Sequence, residues 1–338
     1  MGNSPKNRPR AGGVREELVL GIDLGATKVV SALIAPDGTI VRHSGRHLHA
    51  NDGPGGVIRT LARSVETCLE GSPPPRPVAV GVAVAAQVDA RTGTVIHAPN
   101  LGWRDVPLAR RVSEELGGVR VVVLNDARAA TLAEWRFGAG RGSSDLFCMF
   151  IGTGVGGSAV VGGRLLEGGS NALGEVGHMT VVVGGRKCHC PNWGCLEAYV
   201  GGWAIAERAQ EAVRSDPVGG VGLVSRAGAP ESITAQTVFQ LYRAGDALAG
   251  RLVRETERFL ADGAVGIVNA FNPTLLVLGG GVVSGMPEFV PVVEAAIRAR
   301  CQPPAAVARV VVASFGENAP LVGAGEAARH GAAGRSSD

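Results

Sequence analysis

Aromatic residues are scarce in this chain: Phe, Trp and Tyr together make up 4% of its 338 residues. That leaves too little π surface for the stacking platforms that hold single-stranded nucleic acid. A charge excess is also missing. The formal net charge is +3, far below the basic surplus of a DNA-binding domain, so nucleic acid is not an expected partner. Long apolar runs are absent too. The most apolar stretch, VAVGVAVAA at 78–86, is too short to span a bilayer. Residues 1–17, MGNSPKNRPRAGGVREE, lack the apolar core of a signal peptide. Lys6 stands where a myristoylation pattern after Gly2 needs Ser or Thr. Six cysteines in a chain of this length are not a disulfide scaffold. The expectation is a cytoplasmic globular protein with a disordered tail over 1–17 and no membrane association.

Glycine, by contrast, is abundant at 51 residues, without a G-X-Y period, in a chain that is 45% hydrophobic with a mean hydropathy of +0.18. Dense glycine in an apolar background predicts tight turns and close backbone approaches. LVLGIDLG (18–25), VVSALIA (29–35) and TIVRHSG read as strands joined by turns. Val57, Ile58, Leu61, Val65 and Leu69 share one helical face that Gly71 ends. VAVGVAVAA and VRVVVLN (119–125) read as buried strands, the second running into a helix from about Ala127 to Phe137. LFCMFIGTGVGGSAVVGGRLL (146–166) then repeats the rhythm of the opening, which predicts two lobes of similar build. Helices follow near 200–214 and over 234–271, the second broken at Gly245 or Gly250. TLLVLGGGVV (274–283) and RVVVASFG read as strands, and LVGAGEAARHG as a closing helix. Alternating strands and helices argue for an α/β protein with a cleft between lobes.

Three glycine turns end strands, and three such turns suit one nucleotide in a cleft. In GIDLGATK the small Gly25 lets backbone N–H groups approach an anion, Thr27 and Lys28 offer a hydroxyl and a charge, and Asp23 can hold Mg²⁺ through water. A plain hairpin turn is the alternative. Gly152-Thr153-Gly154-Val155-Gly156-Gly157 is the second turn; SAVVGG after it is strand-like, which disfavours a Rossmann dinucleotide site. Gly279-Gly280-Gly281 is the third.

GHMTVVVGGRKCHCPNWGC places His178, Cys188, Cys190 and Cys195 within eighteen residues. Three thiols and one imidazole make a closed tetrahedral zinc set with no open position for water, so a structural role is expected. Glu175 and Glu197 flank the cluster, and carboxylates held rigidly suit the hydroxyls of a polyol. If one nitrogen of His178 binds the metal, the other remains for a ligand. Asn125-Asp126 closes a buried strand. Asp126 reads either as an N-cap or as a base at a strand carboxyl end. A helix N-terminus is expected to lower its pKa.

Together these residues resemble the ROK family of sugar kinases, of the bacterial glucokinase type, from Leu18 to about Ala328. GIDLGATK looks like the family's first phosphate motif and IGTGVGG like its second. APNLGW (98–103) looks like its sugar loop, VLNDARAA like the strand carrying the catalytic aspartate, and LGEVGHM with CHCPNWGCLEAYVGG like its sugar and zinc signature. The resemblance implies two actin-like (ribonuclease H-like) α/β lobes, commonly in a homodimer. The first would span 18–125, with a closing helix over 320–332 packed on it, and the second 126–319, with a zinc loop at 178–195. It implies ATP-dependent phosphorylation of a hexose 6-hydroxyl, glucose first, with Asp126 as base. Asn100, Asn125, Asp126, Glu175, His178 and Glu197 would hold the sugar. Asp23, Gly25, Thr27, Lys28, Gly152, Thr153, Gly154, Gly156, Gly279, Gly280 and Gly281 would serve MgATP, and His178, Cys188, Cys190 and Cys195 would bind structural Zn²⁺. Ala26, Ala85, Ala86, Leu173 and Pro191 depart from the family pattern, which leaves N-acetylmannosamine, another hexose or a cyclitol as alternative substrates. The family also contains sugar-sensing regulators, but about 17 residues before the first strand are too few for their DNA-binding domain.

Overall fold

The computed structural model describes residues 18–49, 52–71, 77 and 79–333; the expected tail lies outside them. Apolar residues over 19–24 bury both faces of the first strand, β1 (Val19–Leu24), which turns back antiparallel into β2 (Lys28–Ile34). β3 (Ile40–His47), polar and largely exposed, takes the sheet edge. Helix α1 (Gly53–Leu69) buries Val57, Ile58, Leu61 and Val65 of the expected face; Leu69 is only half-buried, and Cys68 is buried in its stead. The next strand, β4 (Val80–Val84), lies parallel to β1. A small antiparallel sheet of β5 (Gln87–Asp89), β6 (Thr94–Ala98) and β7 (Trp103–Val106) follows, then α2 (Leu108–Glu115) and β8 (Val121–Asn125), parallel to β4. The five-stranded order is β3-β2-β1-β4-β8.

The rest of the chain builds a second sheet on the same plan. It includes α3 (Asp126–Arg136), β9 (Leu146–Ile151), β10 (Val155–Val161), β11 (Arg164–Leu165), α4 (Glu197–Val200), α5 (Gly202–Ser215), α6 (Val221–Ala227), α7 (Ala235–Arg243), α8 (Ala247–Phe271), β12 (Leu275–Gly279), α9 (Gly281–Gly285), α10 (Phe289–Arg300) and β13 (Arg309–Val312). Its sheet runs β11-β10-β9-β12-β13, with the same two antiparallel and two parallel pairings as the first. This duplicated order is the two-lobed actin-like α/β architecture. The long helical segment breaks at Gly245, where φ is +84°, while Gly250 continues inside α8. Two strand expectations were too long. The run at 274–283 stops at Gly279, because Gly280 takes φ +87° and residues 281–285 form α9. The run after Arg309 ends at Val312.

Each lobe has its own apolar core, one built around Leu20, Ile22, Leu61 and Val82 and the other around Phe147, Leu196, Leu260 and Phe289. The last helix, α11 (Ala319–Ala333), packs on the opposite face of the first sheet and against α3. Three glycines set that contact. A Cβ at Gly21 would lie 2.2 Å from the Leu321 carbonyl oxygen, at Gly81 1.8 Å from that of Ala324, and at Gly323 1.7 Å from that of Ala129. Glu134 on α3 is fully buried, and it accepts from the N–H groups of Ala139, Ser314 and Phe315 at 2.8–2.9 Å. A buried carboxylate persists only when its oxygens are so satisfied. Among the described residues no helix is long and apolar enough to cross a membrane.

Candidate active site

β8 delivers Asn125 and Asp126 to the base of α3. The Asn125 carboxamide oxygen accepts from the Arg128 N–H at 3.2 Å, so Asn125 is the N-cap and Asp126 is the first helical residue. The other end of the Asn125 amide donates to the Ala86 carbonyl at 3.3 Å, which brings the first lobe's β4–β5 corner against the site. The Asp126 carboxylate accepts from the Ala127 N–H at 2.8 Å. Burial nevertheless raises its pKa above 3.8, opposite to the lowering expected at a helix N-terminus. Desolvation of an enclosed carboxylate outweighs the helix end and the hydrogen bonds.

Asp23, near the end of β1, is pushed up to about 6, first by burial and then by the Asp126 carboxylate, with Lys28 opposing. Asp23 and Asp126 therefore share one electrostatic environment. Gly25 closes the first turn by donating its N–H to the Lys28 carbonyl at 3.0 Å, and Thr27 and Lys28 are exposed beside it. The Lys28 ammonium stands 3.8 Å from the Glu317 carboxylate, an exposed pair worth at most ~1 kcal/mol and easily exchanged for an anionic ligand.

The second turn is tied to the loop of cysteines. Gly152 donates to the Gly154 carbonyl at 2.9 Å, and Thr153 is exposed at the tip. At Gly154 a Cβ would meet Glu197 Oε2 at 2.5 Å, so any larger residue there would displace that carboxylate. That same oxygen accepts from the Val155 N–H at 2.8 Å, and Glu197 Oε1 accepts from the Trp203 indole N–H at 3.3 Å. The indole is stacked on His189, with centroids 3.8 Å apart. At Gly156 a Cβ would come 3.1 Å from Ala127. In the third turn Gly279 is packed under Phe150, whereas Gly281 faces open space.

Burial raises the Glu175 pKa, against the opposing His178, and the nearby Asp126 and Glu197 carboxylates push it the same way. The two glutamates and Asp126 thus converge. Glu175 Oε2 lies 3.8 Å from His178 Nε2, while His178 Nδ1 faces Cys188 Sγ at 3.7 Å. Cys190 Sγ and Cys195 Sγ are 3.6 Å apart, and one ligand atom from each of the four residues lies within 4.8 Å of all the others. Tetrahedral Zn–S bonds of about 2.3 Å place sulfurs ~3.8 Å apart and a nitrogen ~3.6 Å from sulfur, so this donor set fits zinc. The loop closes on itself because Gly194, at φ +73°, lets its Cα pack on the Val182 carbonyl, where a Cβ would sit at 1.8 Å.

Asn100 stands exposed on the turn between β6 and β7, its side chain without a hydrogen bond among the described residues. Two supporting residues escaped the sequence reading. Arg128, buried on α3, donates to the Asn171 side chain and to the Glu167 carbonyl at 3.2 Å. Asn171 in turn donates to the Val88 carbonyl at 2.8 Å, at a φ of +62°. Together they hold the loop that leads to Glu175.

The ROK family profile matches residues 19–330. The chain is 31% identical to the glucokinase of Streptomyces coelicolor over 318 residues, covering 92% of this chain and 98% of that protein. It superposes with a TM-score of 0.80 on a ROK family glucokinase from Streptomyces griseus in complex with glucose and AMPPNP, at 31% identity over 93% of this chain and 99% of that one. It is also 27% identical over 266 residues to the xylose repressor of Caldicellulosiruptor bescii, covering 77% of this chain and 65% of that protein. With the family profile running from β1 into α11 and a relative aligned along nearly the whole of both sequences, the chain belongs to the ROK family.

Proposed function

We propose that the chain is an ATP-dependent kinase that phosphorylates the 6-hydroxyl of a hexose, with glucose as first candidate. One observation carries the reading: Asp126 perturbs Asp23 on one side and Glu175 on the other, so a single carboxylate stands between the phosphate turns and the polar groups beside the cysteine loop. The sugar lies against Glu175, His178 Nε2 and Glu197, with Asn100 and Asn125 completing its contacts. The glycine turns at 25–28, 152–156 and 279–281 face the phosphates of MgATP, and Asp23 orients the magnesium water shell. Asp126 accepts the hydroxyl proton while the sugar oxygen bonds to the γ-phosphorus and the bond to ADP breaks. A raised pKa suits that role, because a carboxylate that is less comfortable ionised takes the proton more readily.

Cys188, Cys190 and Cys195 with His178 Nδ1 would hold zinc as a brace, and the ion would supply rigidity and no open coordination position. The likeness to glucokinases supports glucose; the likeness to a xylose repressor supports a sugar pocket without specifying its occupant.

The test is ADP release with glucose, mannose, fructose, N-acetylmannosamine, N-acetylglucosamine and cyclitols. Turnover highest with glucose is expected. A faster rate with another member reassigns the substrate, and no sugar-stimulated turnover with any of them overturns the kinase reading in favour of a sugar sensor.

A further inference from the structure

Away from the carboxylates and glycine turns, a groove of about 610 Å³ opens between α5, α8 and the segment entering the cysteine loop. Its volume falls in the ordinary range of small-molecule sites, roughly 300–1,000 Å³. Its walls carry four guanidinium groups, Arg186, Arg208, Arg251 and Arg258, against two carboxylates. Both carboxylates are already engaged. Glu211 makes a two-pronged pair with Arg186 at 2.7 Å, and Glu255 pairs with the buried Arg208 at 2.7 Å. Arg251 and Arg258 are left without an ion-pair partner among the described residues. The Arg258 guanidinium lies over the Phe259 ring, 4.8 Å from its centroid. The Arg186 Nε is enclosed and has no hydrogen-bond partner among the described residues. An adjoining groove of about 280 Å³ adds Arg254 on the same face of α8.

We infer that this groove binds a phosphate-bearing small molecule at a site separate from the sugar and nucleotide pockets. Unpaired guanidiniums present forked donors that match phosphate oxygens, and stacking on aromatic faces leaves those forks free. Arg251 and Arg258 stand seven residues apart, ~10 Å along the helix. A phosphate ester or an oligophosphate long enough to meet both fits that spacing better than one carboxylate does. Tyr199 and Phe259 supply flat walls for the rest of the ligand. The site also abuts the machinery described above: Tyr199 follows Glu197 by two residues, Arg186 precedes Cys188 by two, and the Arg186 N–H donates to the Tyr199 hydroxyl at 2.8 Å.

The experiment is calorimetric titration of the full, zinc-loaded chain, with sugar and a non-hydrolysable ATP analogue present at saturation so that the cleft is occupied. Orthophosphate, a hexose 6-phosphate and tripolyphosphate are titrated separately at low salt into the wild type and into an Arg251→Ser/Arg258→Ser double variant. At least one probe is expected to bind the wild type and to bind the double variant at least tenfold more weakly, with sugar-stimulated turnover unchanged in the absence of added anion. The strongest probe identifies the phosphate source. No binding to the saturated wild type, or equal binding to both proteins, overturns the inference. So does sedimentation showing that the substitutions dissociate an anion-free dimer, which would make the groove an interface between copies of the chain.

Discussion

Glu197 Oε2 accepts the Val155 N–H at 2.8 Å, which joins the short helix after the cysteine loop to the glycine turn between β9 and β10. One carboxylate therefore touches both halves of the proposed reaction site. In Glu197→Gln the new amide must turn its NH₂ toward either the Val155 N–H or the Trp203 indole N–H, and one donor loses its acceptor. A hydrogen bond to a charged group is worth ~1.5–3 kcal/mol, which corresponds to roughly a ten- to hundredfold loss in kcat/KM. Bisubstrate kinetics are expected to show KM rising for both sugar and ATP. A rise confined to the sugar would mean that the turn does not depend on Glu197.

Asp126→Asn removes the proposed base and keeps the size. A loss in kcat of ~10²–10⁴ is expected with unchanged circular dichroism. In that proposed role the ionised form is the active one, and burial raises its pKa. Turnover therefore falls as pH is lowered, and the fall begins at a higher pH than an ordinary aspartate would give. A wild-type kcat profile flat down to the usual carboxylate range would remove Asp126 from the chemistry.

Asp23 has a folded-state pKa of about 6 against 3.8 for the ordinary group. Its neutral form is the one the fold tolerates, so the relative destabilisation sets in as pH rises from 3.8 and is complete above about 6. Asp23→Asn is expected to raise stability near pH 8, by at most ~3 kcal/mol and a few °C in Tm, and to leave it unchanged near pH 3. The same variant is expected to bind MgATP more weakly. Thermal melts at the two pH values check the first part, and nucleotide titration checks the second.

Gly81→Ala puts a methyl 1.8 Å from the Ala324 carbonyl oxygen, where neither backbone can give way cheaply. A loss of roughly 3 kcal/mol is expected in denaturant unfolding. Gly266→Ala, on an open face of α8 with nothing within 4 Å, is the matched control and is expected to stabilise by ~0.5–1 kcal/mol.

Metal analysis is expected to find one zinc per chain. Cys190→Ser, or prolonged chelation, is expected to weaken sugar binding at least tenfold while most of the far-ultraviolet circular dichroism remains, because the loop carries little regular structure. A chelated chain of full sugar affinity would show that the quartet does not brace Glu175 and Glu197.

The duplicated lobes were legible in the sequence because their strands are apolar runs buried on both faces and punctuated by glycine. The thiol spacing was legible because few side chains ligate zinc. Other features depended on partners far along the chain. Glu134 looks like any helical glutamate until Ser314, 180 residues away, supplies a buried donor. Arg128 and Asn171 are likewise set by contacts across 43 and 83 residues. The short strands at 87–106 hold too few residues to show a period, and GGGVV was an apolar run whose helical end Gly280 decides by its backbone angle. The upward direction of the Asp126 shift came from enclosure, which no local pattern encodes.

Because α11 seats on β1 and β4, a face of the first sheet has no cover until its final partner has been synthesised, about two hundred residues after β8. At ~5–20 residues per second that delay lasts roughly 10–40 s. During this interval Val19, Ala32 and Ile34 are exposed apolar surface, a window in which a nascent chain is open to chaperone capture or to mispairing with a neighbouring ribosome's product.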